Sequence, residues 1–308
     1  TSVNSFMNTP AGFEIKNGRM VNVQPLEAMF NSSFMVRALH VVATAGMTMA
    51  FILAAIAAFK LLRHNHTEDR TYHTKALNLS MIVGFINTVL SMIAGDLSAK
   101  FLHKVQPDKL AAYEWHYDTQ SHANLVLFGV LNEKTHEVSG ALEIPGLLSF
   151  LADNSFNTKV KGLNEFPKNE LPPMIVHYFF DLMVSMGIFC FIISGLYMLF
   201  LIVKKLRKYV TSSVMLYAIL LTGPASMLAI EFGWFLTEMG RQPWIIRGYM
   251  RVSEAATQAG GITLVTTLFG LLYLLLLVTS AYVLIRMFKN QPAYKDVEKV
   301  IKERGETK

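Results

Sequence analysis

The chain has 308 residues, of which 52% are hydrophobic and 16% charged, with a formal net charge of +6. Soluble globular domains carry roughly 25% charged residues, so this composition excludes an ordinary soluble fold. The single cysteine, Cys190, excludes an intrachain disulfide and a cysteine-based metal cluster.

The first twenty residues show neither a start methionine nor a signal-peptide pattern. They read as a loop joined partway through a larger protein, and the chain is expected to be a fragment. Five apolar runs follow, at 34–62, 76–94, 175–203, 214–236 and 262–288, each long enough to cross a bilayer. The expected fold is therefore all-α: a polytopic transmembrane helix bundle with five spans present. The organisation expected is an outer lead-in loop at 1–33, two spans within 34–94 and a large outer loop at 95–174. Three spans within 175–288 and a cytoplasmic tail at 289–308 complete it.

Lys60, Arg63, Arg70 and Lys75 fill the first connection, Lys204, Lys205, Arg207 and Lys208 the third, and the tail after Arg286 is lysine-rich. By the positive-inside rule these lie on the cytoplasmic face, which puts the 95–174 loop outside and the C-terminus inside. The charge is thus a matter of topology, and no nucleic-acid partner is expected. Arg241, Arg247 and Arg251 fall on the outer side against this count, so that loop needs a local anionic partner.

His40 lies about six residues into the first span, roughly 9 Å from its outer end. A histidine at membrane depth is either a functional group or an interhelical hydrogen bonder. Asp96, in AGDLS at the outer end of the second span, reads as an interfacial acid or a helix-end charge. His64, His66 and His73, in the basic loop without cysteine or acidic companions, read as surface residues. In the outer loop, QPDKLAAYEWHYDTQ and LEIPGLLSFLADNSF each suggest a short helix, and Lys109 and Glu114 fall on the first. A solvated face is the plainer explanation of that acid and base.

Met183 stands at a depth similar to that of His40, roughly 12 Å into the third span, as one of 17 methionines. An imidazole and a thioether can together close a six-coordinate heme suited to electron transfer. Glu231, in AIEFGWFLTEMGRQPW, is expected to be buried roughly 8 Å from the outer end of its span. Unpaired, it would take up a proton; a metal or a cation would keep it charged. P-loop, GxGxxG, HExxH and GxSxG motifs are absent.

GWFLTEMGRQPW, QPDKLAAYE, LEIPGLLSFLADNSFNTKVKGLNEFP and AGDLS, in order along nearly the whole chain, resemble subunit I of cytochrome bd quinol oxidase. GRQPW nine residues after a membrane glutamate is the sharpest element. The resemblance implies a bacterial cell-membrane quinol:oxygen oxidoreductase that oxidises quinol at the outer face, reduces oxygen to water and builds a proton gradient. It implies His40 and Met183 as axial ligands of a low-spin heme b, and Glu231 as the iron ligand of a high-spin heme b. It implies Lys109 and Glu114 at quinol oxidation, Arg241 and Trp244 in the heme environment, and subunit II as a partner within the lipid. It admits a small single-span subunit as well. A propionate-pairing role for Arg241 is inferred from its charge.

Two positions depart from the pattern: Met227 where a tryptophan precedes the glutamate by four residues, and Asp181 where some members have arginine. Four further spans upstream, which carry most of the heme d site, have no counterpart here. The rival readings are an ion or proton transporter using His40, Asp181 and Glu231, and a structural subunit without a cofactor. Clustering of the candidates in the outer layer favours the heme reading.

Overall fold

The computed structural model describes residues 1–63, 67–132, 135–257, 259–290 and 299. His64, His66 and most of the lysine-rich tail therefore lie outside the described residues. In chain order the helices are α1 (Ser2–Asn8), α2 (Pro25–Met29), α3 (Phe34–Arg63), α4 (Thr67–Val105), α5 (Pro107–Tyr113) and α6 (Leu147–Asp153). They continue with α7 (Val176–Ile202), α8 (Ser213–Met239), α9 (Val252–Ala255) and α10 (Ile262–Asn290). Five of these, α3, α4, α7, α8 and α10, are long and apolar enough to span a membrane.

Four spans form one bundle. Contacts join α3 to α4 and α8, and α7 to α8 and α4, so α3 and α7 stand diagonally across it. Alanines at 54, 57 and 58 of α3 are buried against Leu77 and Met81 of α4, Cys190 and Tyr197 of α7, and Ile219 of α8. Helix pairs in lipid gain little from burying apolar surface and associate through close van der Waals contact between small residues. At Gly223 an added Cβ would lie 2.8 Å from that of Ala55, which shows how closely α3 and α8 approach. In contrast, α10 is exposed along its whole apolar length.

The second span is longer than its hydropathy suggests. Helix α4 continues to Val105 because DLSAKFLHKV, after Gly95, contains neither proline nor glycine, and Lys100 pairs with Asp96 one turn away at 2.5 Å. Asp96 is thus a mid-helix charge with an internal partner. Lys104 then ties the helix end to Asp153 of α6 at 3.1 Å.

The connection from α4 to α7 folds as a cap. Both short helices are present, α5 and α6, but so are two antiparallel strand pairs unforeseen in the sequence. β1 (Leu125–Leu127) pairs with β4 (Leu142–Ile144), and β2 (Val130–Asn132) with β3 (Glu137–Ser139). Two core clusters share α5: Leu110 packs with Leu125, Leu148 and Val160, whereas Ala111, Ala112 and Tyr113 pack with Val176 and Leu236 at the bundle end. Residues 1–33, expected as a plain loop, carry α1, α2 and a short hairpin.

Candidate functional site

Because α5 is wedged between the cap and the bundle, its polar side chains are buried along with its apolar ones. Lys109 is 3% and Glu114 2% exposed, which overturns the solvated-face explanation. The two point to different neighbours. The Lys109 ammonium donates to Asn8 Oδ1 at the end of α1. Burial, then the charges of Arg37 and Arg247, hold its pKa well below that of an ordinary lysine. Glu114 closes α5 on the side of α7. Burial, then the charge of Asp181, pushes its carboxyl well above the usual carboxylate range, and Oε2 has no hydrogen-bond partner.

Beside Glu114 lies a polar group that no motif marked. His177 is wholly buried at the cap end of α7, stacked on Trp115 at a centroid distance of 3.9 Å. Its Nδ1 lies 2.6 Å from the Tyr113 carbonyl and donates to it. Its Nε2 is 3.2 Å from Asp181 Oδ2 but is not aligned for a hydrogen bond. The same Asp181 oxygen accepts from the Phe128 N–H at 2.5 Å, so the carboxylate fastens the cap hairpin to α7. The HYFFD spacing, four residues on one helical face, was the available sign of this pair.

His40 and Met183 sit on the diagonal helices. The His40 ring borders Gly95 of α4, where an added Cβ would lie 3.8 Å from Cε1, and its buried Nδ1 has no partner. Met183 presses on α8 at Gly233, where an added Cβ would meet Sδ at 3.1 Å. Each side chain therefore lies beside a glycine of an intervening helix. The unpartnered imidazole nitrogen and the thioether are donor types that can ligate heme iron.

Glu231 requires a correction. It is exposed on α8, on a face shared with Met227, Trp234 and Phe235, and is not buried as expected. The helix is apolar on all sides, so composition could not distinguish its packed face from its open one. Glu238, two turns nearer the cap, is the acid that the fold brings to the cluster. Its carboxylate pairs with Arg241 at 2.5 Å and accepts from Asn4 Nδ2 at 3.1 Å. Sequence reasoning passed over Glu238 although its place three residues before Arg241 marks a helical pair.

The outer arginines find partners within the chain. Arg241 pairs with Glu238, and Arg247 with Asp108 at 2.6 Å. Arg251 lies over the Trp244 ring at 4.8 Å and donates to the Asn169 carbonyl. Trp244 therefore stacks against a cation at the cap. Gly240 of GRQPW has a steric reason: an added Cβ would lie 2.3 Å from the Tyr113 hydroxyl.

Residues 1–292 match the family model described as cytochrome bd terminal oxidase subunit I. A putative cytochrome bd menaquinol oxidase subunit I of Bacillus subtilis (strain 168) is 40% identical over 299 residues, covering 96% of this chain and 67% of that protein. The cytochrome bd ubiquinol oxidase subunit 1 of the same organism is 30% identical over 305 residues, covering 94% and 63%. The bd oxidase structure from Geobacillus thermodenitrificans superposes with a TM-score of 0.87 at 49% identity, covering 94% of this chain and 66% of that one. The chain thus spans about two thirds of the length of these relatives.

Proposed function

Since the chain belongs to the cytochrome bd terminal oxidase subunit I family, we propose that it is the quinol-oxidising, heme-bearing part of a terminal quinol oxidase. The observation that carries this reading is the fully buried, partly unpartnered carboxyl of Glu114 at the outer end of the bundle. Raised proton affinity makes Glu114 a suitable acceptor for a hydroxyl proton of quinol. Lys109, on the other flank of α5, donates a hydrogen bond to a quinol oxygen, and its lowered pKa reduces the cost of keeping the amine buried. Relatives matched over nearly the whole chain are named for menaquinol and ubiquinol oxidases, which supports a quinol as the substrate here.

His40 and Met183 would hold a low-spin heme b as its axial ligands. Heme supplies one-electron transfer there, and oxygen reduction at an open-sited center. For the high-spin heme b, Glu238 suits the role first assigned to Glu231. Trp234 stands one turn before Glu238, where the family carries its tryptophan, and Arg241 and Asn4 orient the carboxylate. In that register the Met227 departure disappears. Trp244 and Arg241 flank the heme environment, while heme d would be held mainly by residues beyond those matched here.

Subunit II, membrane lipid and a small single-span subunit are the proposed partners, in a bacterial cell membrane with the 95–174 cap outside and the C-terminus inside. Protons released from quinol outside, with those for water drawn from inside, would build the gradient. An ion or proton transporter is the disfavoured alternative, because the candidate groups gather at the outer end.

In the intact oxidase, His40→Ala or Met183→Ala should abolish the low-spin band in the reduced-minus-oxidised spectrum; an unaltered band refutes the pairing. Lys109→Met and Glu114→Gln should slow quinol oxidation at least tenfold with hemes retained. Loss of every heme instead would make both residues supports of the fold.

A further inference from the structure

Three buried polar atoms without hydrogen-bond partners gather where α5 meets α7: Glu114 Oε2, His177 Nε2 and Asp181 Oδ1. The residues on either side of Glu114 hold the imidazole. Tyr113 accepts from Nδ1 through its carbonyl at 2.6 Å, and Trp115 stacks on the ring. A carbonyl can only accept, so the Nδ1 proton is fixed and Nε2 of the neutral ring carries a lone pair. That lone pair lies 3.2 Å from Asp181 Oδ2, an acceptor opposite an acceptor. One additional proton on Nε2 would turn this contact into a charge-assisted hydrogen bond. The Asp181 charge also acts on Glu114, so the acid, the imidazole and the carboxylate form one electrostatic unit.

We infer that His177 is the second proton acceptor of quinol oxidation, emptying Glu114 of each proton that the substrate gives up, with Asp181 as its fixed counterion. This deepens the reading of Glu114 as the quinol base and rests on it. Oxidation of a quinol to a quinone releases two protons and two electrons, whereas one carboxylate takes up one proton at a time. Glu114 must therefore be emptied between the two transfers. In each, a quinol O–H bond breaks and a Glu114 O–H bond forms; that bond then breaks as an N–H bond forms at His177 Nε2. The imidazolium keeps its Nδ1 bond to Tyr113 and gains Asp181 as acceptor. Its proton then passes to solvent at the cap surface beside Phe128, whose N–H contacts Asp181 and which is itself 47% exposed. The two electrons leave singly to a one-electron carrier such as heme.

The test compares two electron donors in the intact oxidase: a short-chain quinol, and tetramethylphenylenediamine, which gives one electron and has no hydroxyl proton to lose. His177→Asn keeps an amide donor for the Tyr113 carbonyl but cannot take up a proton. Its kcat with quinol should fall about tenfold or more, with KM and heme content unchanged. Turnover with the diamine should stay at the wild-type rate. Equal loss with both donors overturns the inference, and so does wild-type quinol turnover in His177→Asn, which would leave the ring a support of the fold. A rise in KM alone overturns it too, by making the ring a binding contact. If His177→Asn does not assemble, the wild-type oxidase is read by time-resolved infrared with nitrogen-15 in its histidine rings. An imidazolium band should rise and decay during quinol oxidation and be absent with the diamine; no such band overturns the inference. Glu114→Gln with wild-type quinol turnover would instead refute the quinol-base reading, and so marks that failure separately.

Discussion

At the scale of the residue, burial decides what each acid can do. Glu231 and Glu238 lie seven residues apart and so on nearly the same helical face, yet only Glu238 has an arginine and an asparagine on its carboxylate. In the intact oxidase, Glu238→Gln should therefore perturb a high-spin heme signal and leave the low-spin band in place, whereas Glu231→Gln should have the smaller effect. The reverse order would restore Glu231 to that role. Glu114 makes a second prediction. Folded, it keeps its proton at pH values where the unfolded chain has lost it, so stability falls as pH rises above the ordinary carboxylate range. Glu114→Gln should raise the melting temperature at neutral pH and make no difference near about pH 4. Lys109 acts in the opposite sense, since the folded chain gives up its proton first and loses stability as pH falls.

At the scale of the element, α5 shows how a seven-residue helix of mixed polarity becomes fully interior. Its apolar positions are divided between two cores, so no side of it is left for water. The polar residues follow and take what partners the neighbours offer: Asn8 for Lys109 and Arg247 for Asp108. The cap hairpin is in turn pinned by the Phe128 N–H on Asp181. Asp181→Ala should leave that N–H without its acceptor, at a cost of about 1–3 kcal/mol for the orphaned donor. Limited proteolysis should then cut the hairpin faster than in wild type, while Asp181→Asn, which keeps an acceptor, should protect it. Equal cutting of both variants would show that the carboxylate does not anchor the cap.

At the scale of the whole molecule, four spans pack around one another while α10 and the outer face of α8 remain open. The buried interior predicts the behaviour of the lone thiol: Cys190, 0% exposed, should resist a membrane-permeant maleimide in the native oxidase and react once the protein is denatured. Native labelling at the denatured rate would contradict the packing of α7 against α8. Much of this architecture was legible beforehand. A run of apolar residues in lipid must satisfy its backbone hydrogen bonds internally, so hydropathy alone leads to helices and their number. The ends were less legible: α4 runs on past Ala94 because helix formation needs no apolar residues once the chain emerges into water. The strands of the cap are only three residues each, too short for alternation to signal them.

By itself, then, the sequence determined the class, the five spans, the short helices of the outer connection and the family to which the motifs point. Those properties depend on local composition and order, which any reader of the chain can inspect. Only the tertiary structure decided that Lys109 and Glu114 are buried on opposite flanks of α5, that Glu231 is exposed while Glu238, on nearly the same face of α8, also meets Asn4 of α1, and that Arg37 joins their network through Asn4. In a helix that is apolar on every side, sequence carries no mark of which face packs. That choice belongs to the neighbouring helices, and with it the charge, hydration and chemistry of each buried group.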